Sequence, residues 1–328
     1  MFMKITVLGA GAWGTALAAL LQSDGNEVML WGRNASILEE IGRGFRNERF
    51  LPGIELPRAL RFQPRLEAAI AHAECVVVAV PSKGFREVTK ALARFDRFIV
   101  SVTKGIEYET CLTMAGVLAE TAPLGKRACL SGPSFAIEVA RGVPTAIVAA
   151  SRDLPTAARV QELFNRPAFR VYTSADLLGV ELAGALKNVI AVAAGIGDGL
   201  GFGDNSKAAL VTRAIVEIRR IGVAAGAQAE TFTGLSGLGD LVATCFSKHS
   251  RNRAFGERVG RGEDPASVAA GMEAVAEGYP TARSAFRLAR KHSVESPIID
   301  EVHAMLYEGK DVRQAVRDLL NRELKPEI

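Results

Sequence analysis

Three glycines at fixed spacing limit what the start of this chain can become. Residues 4–8, KITVL, read as a buried strand, Gly9-Ala10-Gly11-Ala12-Trp13-Gly14 follows directly, and the next stretch, TALAALLQ, is rich in helix formers. A GxGxxG run between strand and helix turns backbone N–H groups and the positive helix end toward one spot, where a pyrophosphate can sit. Taken alone the pattern is weak, since a tight packing turn uses the same glycines. Its strand-turn-helix setting points to dinucleotide binding through Gly9, Gly11 and Gly14. The glycines also break the apolar run that would otherwise resemble a signal sequence.

The next strand, EVMLWG, ends at Gly32-Arg33-Asn34. An NAD-selective turn places an acidic residue here for the ribose hydroxyls, whereas Arg33 suits a 2′-phosphate, so NADPH is expected to be used well and preferred over NADH. A solvated loop arginine is the plain alternative. Residues 39 to 61 mix charge, glycine, proline and phenylalanine and read as an irregular excursion at the cofactor rim. CVVVAVPS is the strongest strand, apolar throughout as in the middle of a parallel sheet. FIVSVTKGIE then stops at Thr103-Lys104-Gly105, which puts Lys104 at a strand's carboxyl edge, where such sheets bind ligands. RACLSG ends likewise in the turn Ser131-Gly132-Pro133-Ser134-Phe135-Ala136. Two more strands, PTAIVAAS and FRVYTSA, close the β/α alternation, and everything beyond reads helical. The expectation is an α/β fold: a doubly wound, mostly parallel Rossmann-type sheet over residues 1–180, followed by an all-helical substrate domain over 181–328.

At the seam lies ELAGALKNVIAVAAGIG, residues 181–197, apolar on all faces around Lys187-Asn188. A helix of this kind is buried, and a buried ammonium needs compensation. Either Lys187 snorkels to water along its stem or a partner neutralises it. Asn188 contacts substrate or satisfies backbone groups in the seam. Two glycine-dense stretches expected to be non-helical, 196–206 and 234–240, interrupt the helical half. Asp240 ends the second, placed to cap the next helix, to supply the charge that Lys187 requires, or to do both. Ser250-Arg251-Asn252 opens a helix whose free N–H groups and arginine fork suit a phosphate.

Composition narrows the classes. A formal charge of +4 over 328 residues does not indicate a nucleic-acid surface, and no uninterrupted apolar run is long enough to suggest a membrane span. The four cysteines are dispersed, without metal spacing, and are expected to be buried free thiols in a cytoplasmic protein. The four histidines are scattered; His249 borders the arginine motif but has no acid at a telling spacing. The proton carrier is then expected to be a lysine, and no metal is expected.

GAGAWGTALA, VPS, TKG, SGPSFA, GALKNVIAVAAGI, GLSGLGDL, SRNR and VAEGY occur here in the order in which the chain resembles the bacterial type of NAD(P)-dependent glycerol-3-phosphate dehydrogenases, from about residue 4 to about 320. The resemblance implies reduction of dihydroxyacetone phosphate, a supply role in phospholipid synthesis, and a homodimer. It implies Lys187 as catalytic acid/base, with Lys104, Gly132, Ser134, Asp240, Ser250, Arg251 and Asn252 around the substrate. Ala12, Trp13, Arg33, Lys104, Ala136, Arg251, Val275 and Glu277 would border the cofactor. Position 12 is alanine where serine is common, so only a backbone contact survives there. A related β-hydroxyacid dehydrogenase, or a cofactor-sensing protein without turnover, are the competing readings.

Overall fold

The computed structural model describes residues 2–273 and 275–324. Eight strands form one sheet: β1 (Lys4–Leu8), β2 (Glu27–Trp31), β3 (Arg61–Phe62), β4 (Cys75–Val78), β5 (Phe98–Ser101), β6 (Lys126–Ser131), β7 (Thr145–Ala150) and β8 (Phe169–Ser174). Their spatial order is β8-β7-β6-β5-β4-β1-β2-β3, and every pairing is parallel except β6 with β7. The order reverses at β1, which leaves a crevice at the carboxyl ends of β1 and β4, the place where open α/β sheets bind ligands. Central β4 owes its unbroken apolar sequence to burial on both sides: Cys75 and Val77 join one core cluster, Val76 and Val78 the other.

The first turn is as tight as its glycines permit. Gly9 has φ +127°, and a Cβ there would lie 2.6 Å from Ala79 O, while one on Gly14 would lie 1.9 Å from Gly9 O. Around Gly11 there is open space within 4 Å. Two glycines thus serve packing, and the third leaves a face clear.

The stretch from 39 to 61 is more regular than expected. Asn34 accepts from the Ser36 and Ile37 N–H groups and caps a helix, Ala35–Gly44; an antiparallel hairpin of Arg46–Asn47 with Leu51–Glu55 follows, and then edge strand β3. The hairpin strands are short and their register slips at Arg46/Asn47, so no alternating pattern marks them in the sequence.

The seam helix runs from Leu177 to Gly199, longer than expected at both ends, with Asp176 accepting from Gly179 N at its cap. It is long and apolar enough to cross a bilayer, with mean hydropathy 1.6, but 89% of that window is buried inside this chain, as the centre of the helical core. The expected break over 196–206 shrinks to four residues, because the next helix begins at Asp204. Its glycines serve a different purpose. A Cβ at Gly195 or Gly199 would meet Arg253 O at 2.0 Å or Glu257 O at 2.3 Å on helix Arg251–Gly260, and one at Gly256 or Gly260 would meet Val192 O at 2.1 Å or Ile196 O at 2.4 Å. The two helices touch backbone to backbone. In the second glycine run, Leu235–Gly239 form a π-turn that continues into helix Asp240–Phe246.

The glycine contacts set a stability test. Gly256→Ala is expected to lower unfolding free energy by about 1–3 kcal/mol through overpacking. Gly44→Ala, with open space within 4 Å, is expected to be neutral or to add up to about 1 kcal/mol. Urea unfolding of both variants checks the contrast.

Candidate active site

The seam helix brings Lys187 beside the carboxyl edge of the sheet because Gly184, one turn earlier, has no side chain. A Cβ there would stand 2.6 Å from Ser131 Oγ and 3.6 Å from Lys104 Cγ. Lys104 can therefore pass alongside the helix. Its Nζ donates to Gly132 O at 3.0 Å and to Asp240 Oδ2 at 2.5 Å, while Lys187 Nζ donates to Asp240 Oδ1 at 2.8 Å and Thr244 Oγ1 at 2.6 Å. One carboxylate thus bridges two ammonium groups. Thr244 in turn donates its hydroxyl to Asp240 O at 2.6 Å, so its oxygen is aimed at the lysine.

Side-chain exposure is 8% at Lys187, 3% at Asp240 and 19% at Lys104. Burial lowers the Lys187 pKa to about 8; Asp240 opposes that shift and the neighbouring Lys104 charge adds to it. Burial would raise the Asp240 carboxyl, but the two lysines outweigh it and hold it below the ordinary carboxylate value. The snorkelling reading of Lys187 fails. So does the capping reading of Asp240: it has helical backbone, φ −72°, Gly239 takes the cap position, and no cap hydrogen bond forms from Gly239. With two positive charges on one negative, the dry cluster carries a net positive charge, and one Lys187 N–H has no partner among these bonds.

The rest of the site assembles around this cluster. Gly132, at φ +150°, turns the end of β6, and its carbonyl accepts from both Lys104 and Ser134 Oγ, the latter at 2.9 Å. Ser250 caps helix Arg251–Gly260 by accepting from Arg253 N. Asn252 donates to Asn188 Oδ1 at 2.8 Å and accepts from Gly278 N at 2.9 Å, joining three helices. Asn188 is therefore held by a side-chain partner, and among the described residues its oxygen accepts from no backbone N–H. Arg251 makes no hydrogen bond or ion pair among the described residues. Its side chain is reachable by solvent, and partial desolvation lowers its pKa, with Glu277 opposing.

Glu277 accepts from Ser82 N at 3.1 Å and from Ser82 Oγ at 2.5 Å, tying the helical half to the turn after β4. Burial raises its pKa above the ordinary carboxylate value. Gly105 fits beneath this contact, since a Cβ there would come 2.5 Å from Ser82 Cβ. Arg33 is exposed beyond β2, its Nη2 3.1 Å from where a Cβ on Gly84 would be. Ala12 and Trp13 form the first turn of helix Ala12–Gln22, whose cap, Gly11, offers no side-chain bond, so its N–H groups stay available for a phosphate. Ala136 opens a short helix packed on that one, and Val275 is exposed. These features fit a dinucleotide.

His249 stays outside the cluster, its ring 5.9 Å from that of Phe135. All four cysteines are buried and free, and no group of three or more His, Cys, Asp or Glu suited to a metal occurs among the described residues. Thr244 was not singled out in the sequence, although four helical residues after Asp240 lies the same face. The Val80-Pro81-Ser82 turn reads as a strand end at the ligand-binding edge, but nothing in the sequence ties Ser82 to Glu277, 195 positions away.

Comparison with known proteins agrees over the whole chain. Models of the NAD-dependent glycerol-3-phosphate dehydrogenase N-terminus and C-terminus match residues 4–157 and 176–317. Glycerol-3-phosphate dehydrogenase (NAD(P)+) of Geobacter sulfurreducens is 50% identical over 333 aligned residues, covering 100% of this chain and 99% of that one. The protein of the same name from Chlorobium limicola is 46% identical, covering 99% and 100%. The crystal structure of glycerol-3-phosphate dehydrogenase from Coxiella burnetii superposes with a TM-score of 0.94 at 38% identity, covering 98% of this chain and 99% of that one.

The cluster makes a prediction of its own. Because Asp240 raises the Lys187 pKa against burial, Asp240→Asn is expected to take that amine below its value of about 8. NMR titration of labelled lysine measures it, and an unchanged or higher value would disprove the coupling.

Proposed function

The chain belongs to the NAD-dependent glycerol-3-phosphate dehydrogenase family, and from that premise we propose how its own residues carry out the reduction of dihydroxyacetone phosphate to sn-glycerol 3-phosphate. The observation that carries the reading is the Lys187–Asp240–Lys104 cluster, together with an Arg251 that has no ion pair among the described residues. NAD(P)H, when bound, supplies the hydride that reduces the ketone carbon.

The chain supplies the rest. Negative charge building on the ketone oxygen needs a proton or a fixed cation, which is most effective where water is excluded. Lys187 is the proton donor: with a pKa of about 8 it is protonated at neutral pH, yet gives up its proton far more readily than an ordinary lysine. Asp240 and Thr244 fix its direction, and Lys104 adds positive charge from the strand edge. The open Arg251 fork and the Ser250-Arg251-Asn252 helix start receive the substrate phosphate, with Gly132 and Ser134 on the opposite wall. Gly9, Gly11, Gly14 and the uncapped helix hold the pyrophosphate; Ala12, Trp13, Ala136, Val275 and Glu277 border the cofactor. Arg33 receives a 2′-phosphate, which favours NADPH over NADH.

In this reading residues 1–180 form the cofactor domain and 181–328 the substrate domain, with the seam helix as their shared wall. The enzyme acts as a cytoplasmic homodimer that supplies glycerophospholipid synthesis.

Loss of NADPH absorbance on adding dihydroxyacetone phosphate tests the activity itself. Lys187→Ala is expected to lower kcat by about 10²–10⁴-fold while leaving NADPH affinity nearly intact. In the unaltered enzyme, reduction should hold steady at neutral pH and decline as pH rises through about 8, because the donor then loses its proton. Near-normal kcat in the variant, or a rate that climbs through that range, would remove Lys187 from the donor role.

The two arginines separate by ligand. Arg251→Ala should weaken dihydroxyacetone phosphate strongly and barely alter the poor reaction of unphosphorylated dihydroxyacetone, whereas Arg33→Ala should narrow the preference for NADPH over NADH. Equal losses on both substrates, or an unchanged cofactor ratio, would reassign those residues.

A further inference from the structure

The hairpin after the second helix makes one contact that neither the fold nor the reaction accounts for. Asn47 is 1% exposed, and its Nδ2 donates to Ala10 O at 3.0 Å and to Thr15 Oγ1 at 2.8 Å, reaching back across 37 and 32 positions. Its Oδ1 accepts from Phe50 N at 3.3 Å within the hairpin. The amide orientation is fixed chemically, because a carbonyl such as Ala10 O can only accept.

Ala10 O belongs to the same peptide unit as the Gly11 N–H. In a planar trans peptide the C=O and N–H point in opposite directions. Holding the carbonyl on the hairpin side therefore turns the Gly11 N–H away from it. Gly11 N has no acceptor among the described residues, its surroundings are open within 4 Å, and the residue that flanks the unit on that side is itself a glycine, whose backbone tolerates rotation. Without a hold on the carbonyl, that peptide could turn about its flanking bonds.

We propose that Asn47 is a positioning residue for the cofactor: by clamping Ala10 O and Thr15 Oγ1 it orients the Gly11 N–H toward the pyrophosphate of the dinucleotide. The hairpin thus takes part in cofactor binding through its buried amide. The inference rests on reading Gly9–Gly14 as the pyrophosphate turn, and Gly11→Val tests that premise separately.

The experiment compares Asn47→Ala with the unaltered enzyme by titration of NADPH, by competition with adenosine 2′-phosphate, which lacks the pyrophosphate, and by kcat at saturating NADPH. NADPH affinity should fall about tenfold, the loss of one hydrogen bond to a charged group, with adenosine 2′-phosphate affinity and kcat within about twofold of normal. If Asn47→Ala does not fold, Asn47→Ser replaces it, since a hydroxyl can still accept from Phe50 N but is too short to hold Ala10 O. Equal weakening of both ligands would mean a merely structural role, and unchanged NADPH affinity would mean none; either result overturns the proposal. If Gly11→Val also leaves NADPH affinity unchanged, the pyrophosphate assignment itself has failed.

Discussion

The structure depends on one carboxylate shared between two ammonium groups in a nearly dry seam. Bringing a lysine into a low-dielectric interior costs several kcal/mol, and a single aspartate that also loses its water does not automatically repay that. Here both Asp240 oxygens are used, one by each lysine, and Thr244 supplies a further acceptor. Both carboxylate oxygens are bonded, one Lys187 N–H is left over, and the charges do not cancel. That leftover positive charge suits a site that receives a dianionic phosphate ester and, in the transition state, a developing alkoxide.

Such a cluster needs three elements to approach more closely than side chains normally allow, and glycine makes this possible at each junction. Gly184 admits Lys104 and the end of β6; Gly195 and Gly199 set the seam helix against helix Arg251–Gly260, which carries Arg251 at its start. The apolar sequence around Lys187 has the complementary task of excluding water, which lowers the lysine's pKa. The same residues therefore stabilise the helical core and tune the cation buried in it. This is why the helix resembles a membrane span by composition although it lies inside the protein.

Much of this was legible in the sequence because each signal had a local cause. Strand, turn and helix around Gly9–Gly14 follow from short-range geometry, and an all-round apolar helix containing a lysine already demands a partner charge. What escaped were features settled by tertiary contact. Asp240 read equally as a helix cap and as the counter-charge to Lys187, because both roles use the same residue type, and only the position of Lys187 decides between them. Gly199 looked like part of a loop because composition does not reveal the backbone of a second helix. The clasp of Ser82 by Glu277 joins two helix starts 195 positions apart, and no local pattern in the sequence pairs them.

The two halves of the site recognise charge by different means, and this governs their tolerance of change. At the proposed substrate end the charges sit on the side chains of Lys104, Lys187 and Arg251, so one substitution can remove a charge outright. At the proposed pyrophosphate turn the donors are backbone N–H groups at an uncapped helix start, which persist whatever side chain is present unless proline removes the donor. Alanine at position 12 illustrates this: a hydroxyl is absent there, but the N–H groups and the helix dipole remain. Backbone donors must still be aimed, however, and aim comes from whatever fixes the peptide planes. Gly9 and Gly14 fix them by packing, and Asn47 by holding a carbonyl. Recognition at this end is thus tolerant in its own residues and sensitive in those that brace them.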